Sequence, residues 1–262
     1  MGRLLREHPG PVSQVRGSAA GLPQIKRGTP RLVIDSLMRG ADLDMAGSAA
    51  AYVIEGTTWT TTNTTATNSI AGASGTRINS SDSACYFLNT TVPGMTSSAS
   101  CRVCVQIEFS IASWVTNNSS IQVRLCAADA ETNTAEDVVV TLRKTGTTTF
   151  RPKLGYYSGS SFPLVFCDDP NPYTSSTPTR AVLQLTGHGN TWVGTVGDEA
   201  GRPDFNGLTA KNTGTGRICT RASGTVEAAQ PALLSNLKIA VCPNGGALDV
   251  TIEGVRVWRL GP

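Results

Sequence analysis

The sequence predicts an all-β protein: an antiparallel two-sheet jelly-roll sandwich preceded by an extended N-terminal arm. Three observations favour this fold class. From about residue 32 onward, many short segments alternate apolar and polar residues, which is the period of a strand with one face against a core. Gly, Asn, Asp and Pro recur at short intervals between these segments, as turns require. No spacing of strands and helices matches a βαβ unit, so a parallel sheet is not expected.

The N-terminal arm is predicted to cover residues 1–40, and the β body residues 41–262. The arm has seven basic and two acidic side chains, and residues 1–31 contain four prolines and five glycines. These first 31 residues cannot bury enough apolar surface to fold alone, so we expect them to dock on another polypeptide. The basic residues are too dispersed to favour nucleic acid as the partner. The predicted anchoring residues are Arg3, Leu4, Leu5, Arg6, Arg16, Lys26, Arg27 and Arg31.

The most regular strand in the body is predicted at residues 101–111, CRVCVQIEFSI. Its odd positions are apolar and its even positions are mostly polar, which predicts one buried face and one face in water. Similar short strands follow to the end of the chain, separated by turns such as GHGN, NTGTG and PNGG.

The last strand, DVTIEGVRVWRL at residues 249–260, changes its alternation at a glycine. Val250 and Ile252 occupy even positions, whereas Val255 and the next apolar residue occupy odd ones. A glycine at such a change predicts a β-bulge at Gly254, which keeps both halves of a bent strand facing the core. Trp258 then falls on the opposite face, where we expect it to cover the outer side of the sheet or to contact a neighbouring subunit.

The seven cysteines predict reduced thiols, because their number is odd and no secretory signal begins the chain. We therefore expect a chain made in the cytosol. Cys101 and Cys104 have the CxxC spacing, but residues three apart on a strand point to opposite faces, so no zinc site is predicted. Asp168 and Asp169 favour a solvated turn over a calcium site. No cofactor, metal or membrane span is expected.

Residues 180–203 and 244–258 carry a resemblance to the concanavalin A-like lectin and laminin-G-like jelly rolls. The first stretch resembles a strand–turn–strand hairpin of that class. The second, NGGALDVTIEGVRVW, resembles its closing strand, in which an acidic residue precedes a hydrophobic-Arg-hydrophobic-aromatic run. This resemblance implies a β-sandwich body.

A basic arm followed by a Thr-, Ser- and Gly-rich jelly roll also resembles bacteriophage virion proteins of the decoration (cement), head-fibre and tail-appendage types. The resemblance implies a structural virion protein, made in the host cytoplasm. Its arm would dock on a capsid or tail protein of the same virion. It also implies a homo-oligomer, with a trimer favoured.

The alternative function is a carbohydrate-binding, lectin-like module, or a receptor-binding tail protein that recognises a cell-surface glycan. The predicted glycan or subunit contacts are aromatic. Trp59 lies in the threonine-rich tract at 57–67, which favours an edge strand or linker and has a contact site as its alternative. Three tyrosines lie in the segment 154–180, which is predicted to be a long irregular loop, and they either make contacts or pack this loop onto the body. The contact residues are Trp59, Tyr156, Tyr157, Tyr173 and Trp258.

Catalysis is not expected, and no catalytic residue is predicted. The chain has two histidines, His8 in the arm and His188 in a predicted turn, so a Ser-His-Asp set has little support. A glycoside hydrolase would need two carboxylates that flank the scissile bond. Glu108 is the best single candidate for such a carboxylate, but the low aromatic content of 6% argues against a sugar-cleaving cleft.

Overall fold

The computed structural model describes residues 30–45, 51–62, 68–95, 102–127, 137–158, 161–168, 173–174, 177–188, 191–197, 217–218 and 234–260. Every regular element among these residues is a β-strand, and none of them forms a helix able to span a membrane. The strands are β1 (Arg31–Ser36), β2 (Leu43–Asp44), β3 (Ala51–Ile54), β4 (Thr57–Thr62), β5 (Asn68–Gly72), β6 (Gly75–Ser80), β7 (Tyr86–Thr91), β8 (Arg102–Trp114), β9 (Ser120–Cys126), β10 (Asp137–Lys144), β11 (Thr149–Ser158), β12 (Ser161–Asp168), β13 (Tyr173–Thr174), β14 (Arg180–His188), β15 (Thr191–Gly197), β16 (Arg217–Ile218), β17 (Asn236–Cys242) and β18 (Leu248–Leu260).

The strands form two antiparallel sheets of nine strands each, which confirms the predicted all-β sandwich. Sheet A has the order β16-β15-β14-β8-β18-β6-β5-β2, and β1 pairs with β18 beyond the end of β6. Sheet B has the order β12-β11-β10-β9-β17-β7-β4-β3, and β13 pairs with β11. Strands β14 and β15 face β9, β10 and β11 across the core, so β2 and β3 lie on the same side of the sandwich.

Strand β8 shows how alternation sets the two faces of sheet A. Val103, Val105 and Ile107 are fully buried between the sheets, as their odd positions predict. The expectation that the even face lies in water is wrong, because Gln106 is 3% and Glu108 is 7% exposed. Sequence alternation therefore predicts the direction of these side chains correctly but not their exposure.

The predicted β-bulge lies in β18, next to the glycine where the alternation changes. Ile252 pairs with Phe109 and Gly254 pairs with Glu108, which leaves Glu253 as the extra residue on β18. Ile252 on one side of the bulge and Val255 on the other are both fully buried, so the two halves of the strand face the same core.

Two boundaries differ from the sequence prediction. Strand β1 falls inside the predicted arm at 1–40, yet it pairs with β18 along its length, so sheet A already includes residues from Arg31 onward. Arg31 itself lies opposite Arg259 in this pairing. The rest of the predicted anchoring set, Arg3, Leu4, Leu5, Arg6, Arg16, Lys26 and Arg27, lies outside the described residues.

The segment 154–180 is the second difference, because the prediction of a long irregular loop is wrong for much of it. Residues from 154 to 158 complete β11, residues 161–168 form β12, and β11 and β12 pair as neighbours. Its serines, glycines and Pro163 resemble loop composition, but β12 is the outermost described strand of sheet B, a position where proline is tolerated.

A disulfide joins Cys85 to Cys242, so the prediction of reduced thiols fails for this pair. Tyr86 pairs with Val241 in neighbouring strands, which places the two cysteines side by side at the next position of the ladder. Among the described residues, Cys104 and Cys126 are buried and form no disulfide. Burial and the adjacent Asp137 carboxylate raise the pKa of the Cys126 thiol, which keeps it protonated and unreactive.

Candidate functional site

A groove of about 390 Å³ opens where β1 approaches β4, β7 and β17. Its lining includes the β1 residues Val33 and Ile34, while five threonines and two asparagines supply most of its polar lining. No charged residue is among the described residues that line it. The volume falls within the range of small-ligand sites in proteins, which is about 300–1,000 Å³.

Strand β4 supplies one wall of this groove through its alternating threonines. Trp59 and Thr61 point into the core and are fully buried, which turns Thr58 and Thr60 outward to line the groove. The Thr90 hydroxyl donates to the Thr58 carbonyl oxygen at 2.8 Å, and this bond fixes the wall to β7.

Strands β7 and β17, which precede β4 in the order of sheet B, supply further lining residues. Thr91 and Asn236 are directly paired, and the Thr91 hydroxyl donates to the Asn236 Oδ1 atom at 3.3 Å. The Asn236 amide nitrogen donates in turn to the Ser235 hydroxyl at 3.4 Å. The amide is thus held in one orientation at the rim of the groove.

The turn between β3 and β4 connects the groove to β1. Glu55 has φ 48° and Gly56 has φ 79°, so this two-residue connection is a type I′ turn that matches the twist of a hairpin. The Glu55 carboxylate accepts hydrogen bonds from the Ser36 hydroxyl at 2.9 Å and from the Leu37 backbone N–H. These two bonds bridge the sheets beside the groove.

The aromatic contact predicted at Trp59 is contradicted by the structure. Trp59 has no exposed surface and belongs to the main hydrophobic core. Its neighbours in the same tract are nevertheless part of the groove, so the predicted contact tract at 57–67 contributes threonines instead of its tryptophan.

The other predicted contacts are distributed over both sheets, with the three tyrosines in two paired strands of sheet B. Tyr156 and Tyr157 are in β11, and Tyr173 is in β13, both in sheet B, but their side chains lie outside the described part. Trp258 is half-buried on the outer face of sheet A, where it pairs with Leu32 of β1. Trp258 does not line the groove.

Glu108, the best carboxylate candidate for hydrolysis, is held by two arginines on the outer face of sheet A. Arg256 Nη1 donates to its Oε1 atom at 2.6 Å, and Arg180 Nη2 donates to its Oε2 atom at 2.8 Å. Gly254 lies beneath this carboxylate, since a Cβ atom there would be 3.6 Å from the Glu108 Cδ atom.

The two arginines also contact the other carboxylates nearby. Arg180 lies 3.5 Å from Glu253, the extra residue of the bulge, and Arg256 lies 3.5 Å from Asp35 of β1. Because both oxygens of Glu108 accept bonds from guanidinium groups, the arrangement joins β1, β8, β14 and β18 by ion pairs. This geometry is that of a structural network.

Metal-binding groups do not converge in the part of the chain that the structure describes, where no cluster of three His, Cys, Asp or Glu side chains occurs. Asp168 ends β12, and His188, predicted in a turn, ends β14. Cys101, Asp169 and His8 lie outside the described residues.

Comparison with known proteins identifies solved structures that share the fold of this chain. No protein-family model and no curated protein matches the chain. Solved structures do match. The CBM2 module of the evolved Dit protein of Lactobacillus casei BL23 phage J-1 has a TM-score of 0.52 at 9% identity, over 91% of this chain and 99% of the module.

Two further solved structures have similar scores. A GH43 glycoside hydrolase has a TM-score of 0.52 at 11% identity over 95% of this chain, which spans only 43% of the hydrolase. A protein of unknown function, SO2946 from Shewanella oneidensis MR-1, has a TM-score of 0.51 at 11% identity, over 87% of this chain and 91% of that one. The chain shares a β-sandwich with all three.

The residues that line the groove were only partly predictable. The threonine-rich tract supplied a signal for β4, since so many hydroxyls in one strand suit a polar contact. Thr91 and Asn236 gave no such signal, because they are 145 residues apart in the sequence and meet only through the pairing of β7 with β17.

Proposed function

We propose that this chain is a carbohydrate-binding β-sandwich of a phage particle, and that the groove beside β4 is its sugar site. The groove is the observation that carries the proposal. Its threonine hydroxyls and asparagine amides can both donate and accept hydrogen bonds, which is what the hydroxyl groups of a sugar require. The lack of charged side chains in its lining favours a neutral sugar over an acidic one.

The full-length likeness to the CBM2 module of a phage Dit protein supports both halves of this proposal. That likeness covers 91% of this chain and 99% of the module, so the two share a complete sandwich. A carbohydrate-binding module carried by a phage protein therefore has the same architecture as this chain.

Association with a virion is the second part of the proposal. We propose that the arm docks on a capsid or tail protein of the same particle, so that the sandwich decorates, cements or projects from it. The composition of residues 1–31 supports this role, because a Pro- and Gly-rich basic segment gains little from folding alone. Removing residues 1–29, which leaves β1 intact, should leave sugar binding unchanged while it prevents incorporation into the particle.

The sugar site is tested with one hydroxyl at a time. A glycan array probed with the full chain identifies a ligand, and calorimetry then measures its affinity for Thr58→Val, which removes a hydroxyl from the groove. Loss of one hydrogen bond should weaken binding by roughly 2- to 13-fold. Thr148→Val is the matched control, because Thr148 is exposed in the bend between β10 and β11, outside the groove.

The two variants separate the groove from the rest of the surface. If no glycan on the array binds, carbohydrate recognition is wrong. If both variants weaken binding equally, or neither does, the sugar binds somewhere other than this groove.

A further inference from the structure

A second β-bulge, in β1, brings two consecutive apolar residues to the groove. On either side of it, Leu32 pairs with Trp258 and Ile34 pairs with the next residue of β18. This register leaves Val33 as the extra residue. Ile34 is 4% exposed and belongs to the main core cluster, and Val33 is half-buried against the same cluster. Both residues line the groove, and bulges that redirect a side chain are common beside binding sites.

Several polar lining residues lie on the other side of sheet B. Trp59 of β4 and Leu88 of β7 are fully buried in the core. Alternation along these strands turns their neighbours Thr58, Thr60 and Asn89 to the outer face of the sheet, and all three line the groove. Because β1 belongs to sheet A, the groove reaches from the outer face of sheet B to the gap between the two sheets. It does so at the end of sheet B where β4 begins and β7 ends.

The described lining is consequently divided into two chemically different parts. On the side of the core, the side chains of Val33 and Ile34 offer aliphatic surface. On the outer side, hydroxyl and amide groups are still able to bind a ligand. The Thr91 hydroxyl, for example, donates to the Asn236 Oδ1 atom and retains lone pairs that can accept a further hydrogen bond. A ligand that fits both parts carries hydroxyl groups and one small apolar group.

A methyl group suits the apolar part of this groove. No aromatic ring is among the described lining residues, so they offer no flat surface on which the whole face of a sugar ring could stack. Sugars carry a methyl group at the end of an acetamido substituent or as carbon 6 of a 6-deoxyhexose. In both cases the ring keeps hydroxyl groups for the threonines and asparagines on the outer side.

We propose that the groove selects a neutral sugar with a methyl-bearing substituent, and that Val33 determines this specificity by contacting the methyl group. The inference rests on the proposed sugar site, to which it adds the class of ligand and the residue that selects it. Acetamido sugars and 6-deoxy sugars share this chemistry, so the experiment includes both.

The test compares pairs of sugars that differ at one carbon. N-acetylglucosamine is paired with glucose, and L-fucose is paired with L-galactose. Each sugar is carried in many copies on a soluble polymer, so that weak binding by a single groove can be measured. Burial of one methyl group corresponds to roughly 4-fold in affinity, so the full chain should bind the methyl-bearing member of one pair at least about 4-fold more tightly. The pair that shows this preference identifies the source of the methyl group.

Val33→Thr tests the contact itself, because it replaces one methyl group of the valine by a hydroxyl with little change in shape. It should reduce the preference for the methyl-bearing sugar by about 4-fold. A folding defect would weaken binding of both members of a pair alike, so the ratio of their affinities reports specificity and not stability. Val115→Thr is the matched control, because Val115 is 64% exposed and lies outside the groove.

The outcomes separate this inference from the proposed function. A methyl preference that Val115→Thr retains and Val33→Thr loses supports it. The inference is overturned, while the sugar site stands, if the wild-type chain binds both members of each pair equally or if the preference persists in folded Val33→Thr. It is also overturned if array glycans bind but neither methyl-bearing polymer does. If no polymer and no array glycan binds, the proposed function fails as well.

A second variant covers the case in which circular dichroism shows that Val33→Thr does not fold. Val33→Ala shortens the side chain without adding a polar group, and it should also reduce the ratio of affinities within the preferred pair. An unchanged ratio in folded Val33→Ala would overturn the role of Val33.

Discussion

The disulfide between Cys85 and Cys242 gives the most quantitative prediction, because its effect follows from the length of chain that it encloses. The two cysteines are 157 residues apart in the sequence. A crosslink over this distance restricts the unfolded chain by a loop-closure free energy of about 5 kcal/mol at 25 °C. Because β7 and β17 are paired next to the cysteines, we expect the folded state to keep this pairing when the disulfide is absent.

The perturbation is the double substitution Cys85→Ser with Cys242→Ser, which avoids a single unpaired thiol. Cys242 is 8% exposed and its partner is half-buried, so serine fits both positions. We expect the free energy of unfolding to fall by about 5 kcal/mol relative to the oxidised wild-type chain. For a chain of 262 residues this corresponds to a melting temperature about 10 °C lower.

Urea unfolding followed by tryptophan fluorescence provides the assay, because Trp59 and Trp114 are buried in the core. The double variant should unfold at the same urea concentration as the reduced wild-type chain, and reductant should not affect it further. The reasoning is refuted if the oxidised wild-type chain and the double variant unfold at the same urea concentration. Peptide mapping without reductant shows independently whether the crosslinked peptide is present.

Two further substitutions, Gly75→Ala and Glu108→Gln, test the packing of sheet A by the same urea assay, and each has a matched control. Gly75→Ala should cost about 2–4 kcal/mol, because residue 75 has φ 122° and its new Cβ atom would lie 2.3 Å from the Ile252 carbonyl oxygen. Gly56→Ala, with φ 79° and no atom within 4 Å, should cost only about 1 kcal/mol, and equal costs would contradict this. Glu108→Gln should lower the free energy of unfolding by about 1–2 kcal/mol, because it weakens both arginine contacts. The loss is no larger because the two arginines are partly exposed, and water screens their charges. Glu253→Gln should cost less than about 0.5 kcal/mol, and a larger loss than for Glu108→Gln would overturn the assignment of the central carboxylate.

The direction of most side chains was predictable from the sequence, because a strand has only two faces. The bulge at Gly254 shows that the alternation of apolar residues can also locate an irregularity within a strand. A change of parity in the apolar positions located the extra residue to within one position, and the pairing of Ile252 and Gly254 with consecutive residues of β8 confirms it. Alternation of this kind is a local property, so no knowledge of the partner strand was needed.

Burial was less predictable, because it depends on residues distant in the sequence. Arg124 and Lys238 lie on the outer face of sheet B, as alternation predicts, yet each is only 1% exposed. They pair directly with each other and lie 5.2 Å and 5.4 Å from the centroid of the Phe87 ring. Nothing in the local sequence distinguishes these two cations from exposed ones. Trp59 was misassigned for the same reason, since its threonine neighbours give no apolar period.

Under the proposed function, the chemistry of the groove limits how tightly one chain would bind a sugar. The described lining of the groove offers hydroxyl and amide groups and no aromatic ring. When a sugar binds there, hydrogen bonds to the sugar replace hydrogen bonds to water, and each replacement contributes little free energy. A single groove of about 390 Å³ therefore predicts weak binding by one chain. Several copies held on one particle would act together, because every bound site raises the effective concentration of sugar at its neighbours. If the isolated sandwich bound its glycan as tightly as the assembled particle does, this dependence on multiple copies would be wrong, and the groove would need contacts beyond those of β4, β7 and β17.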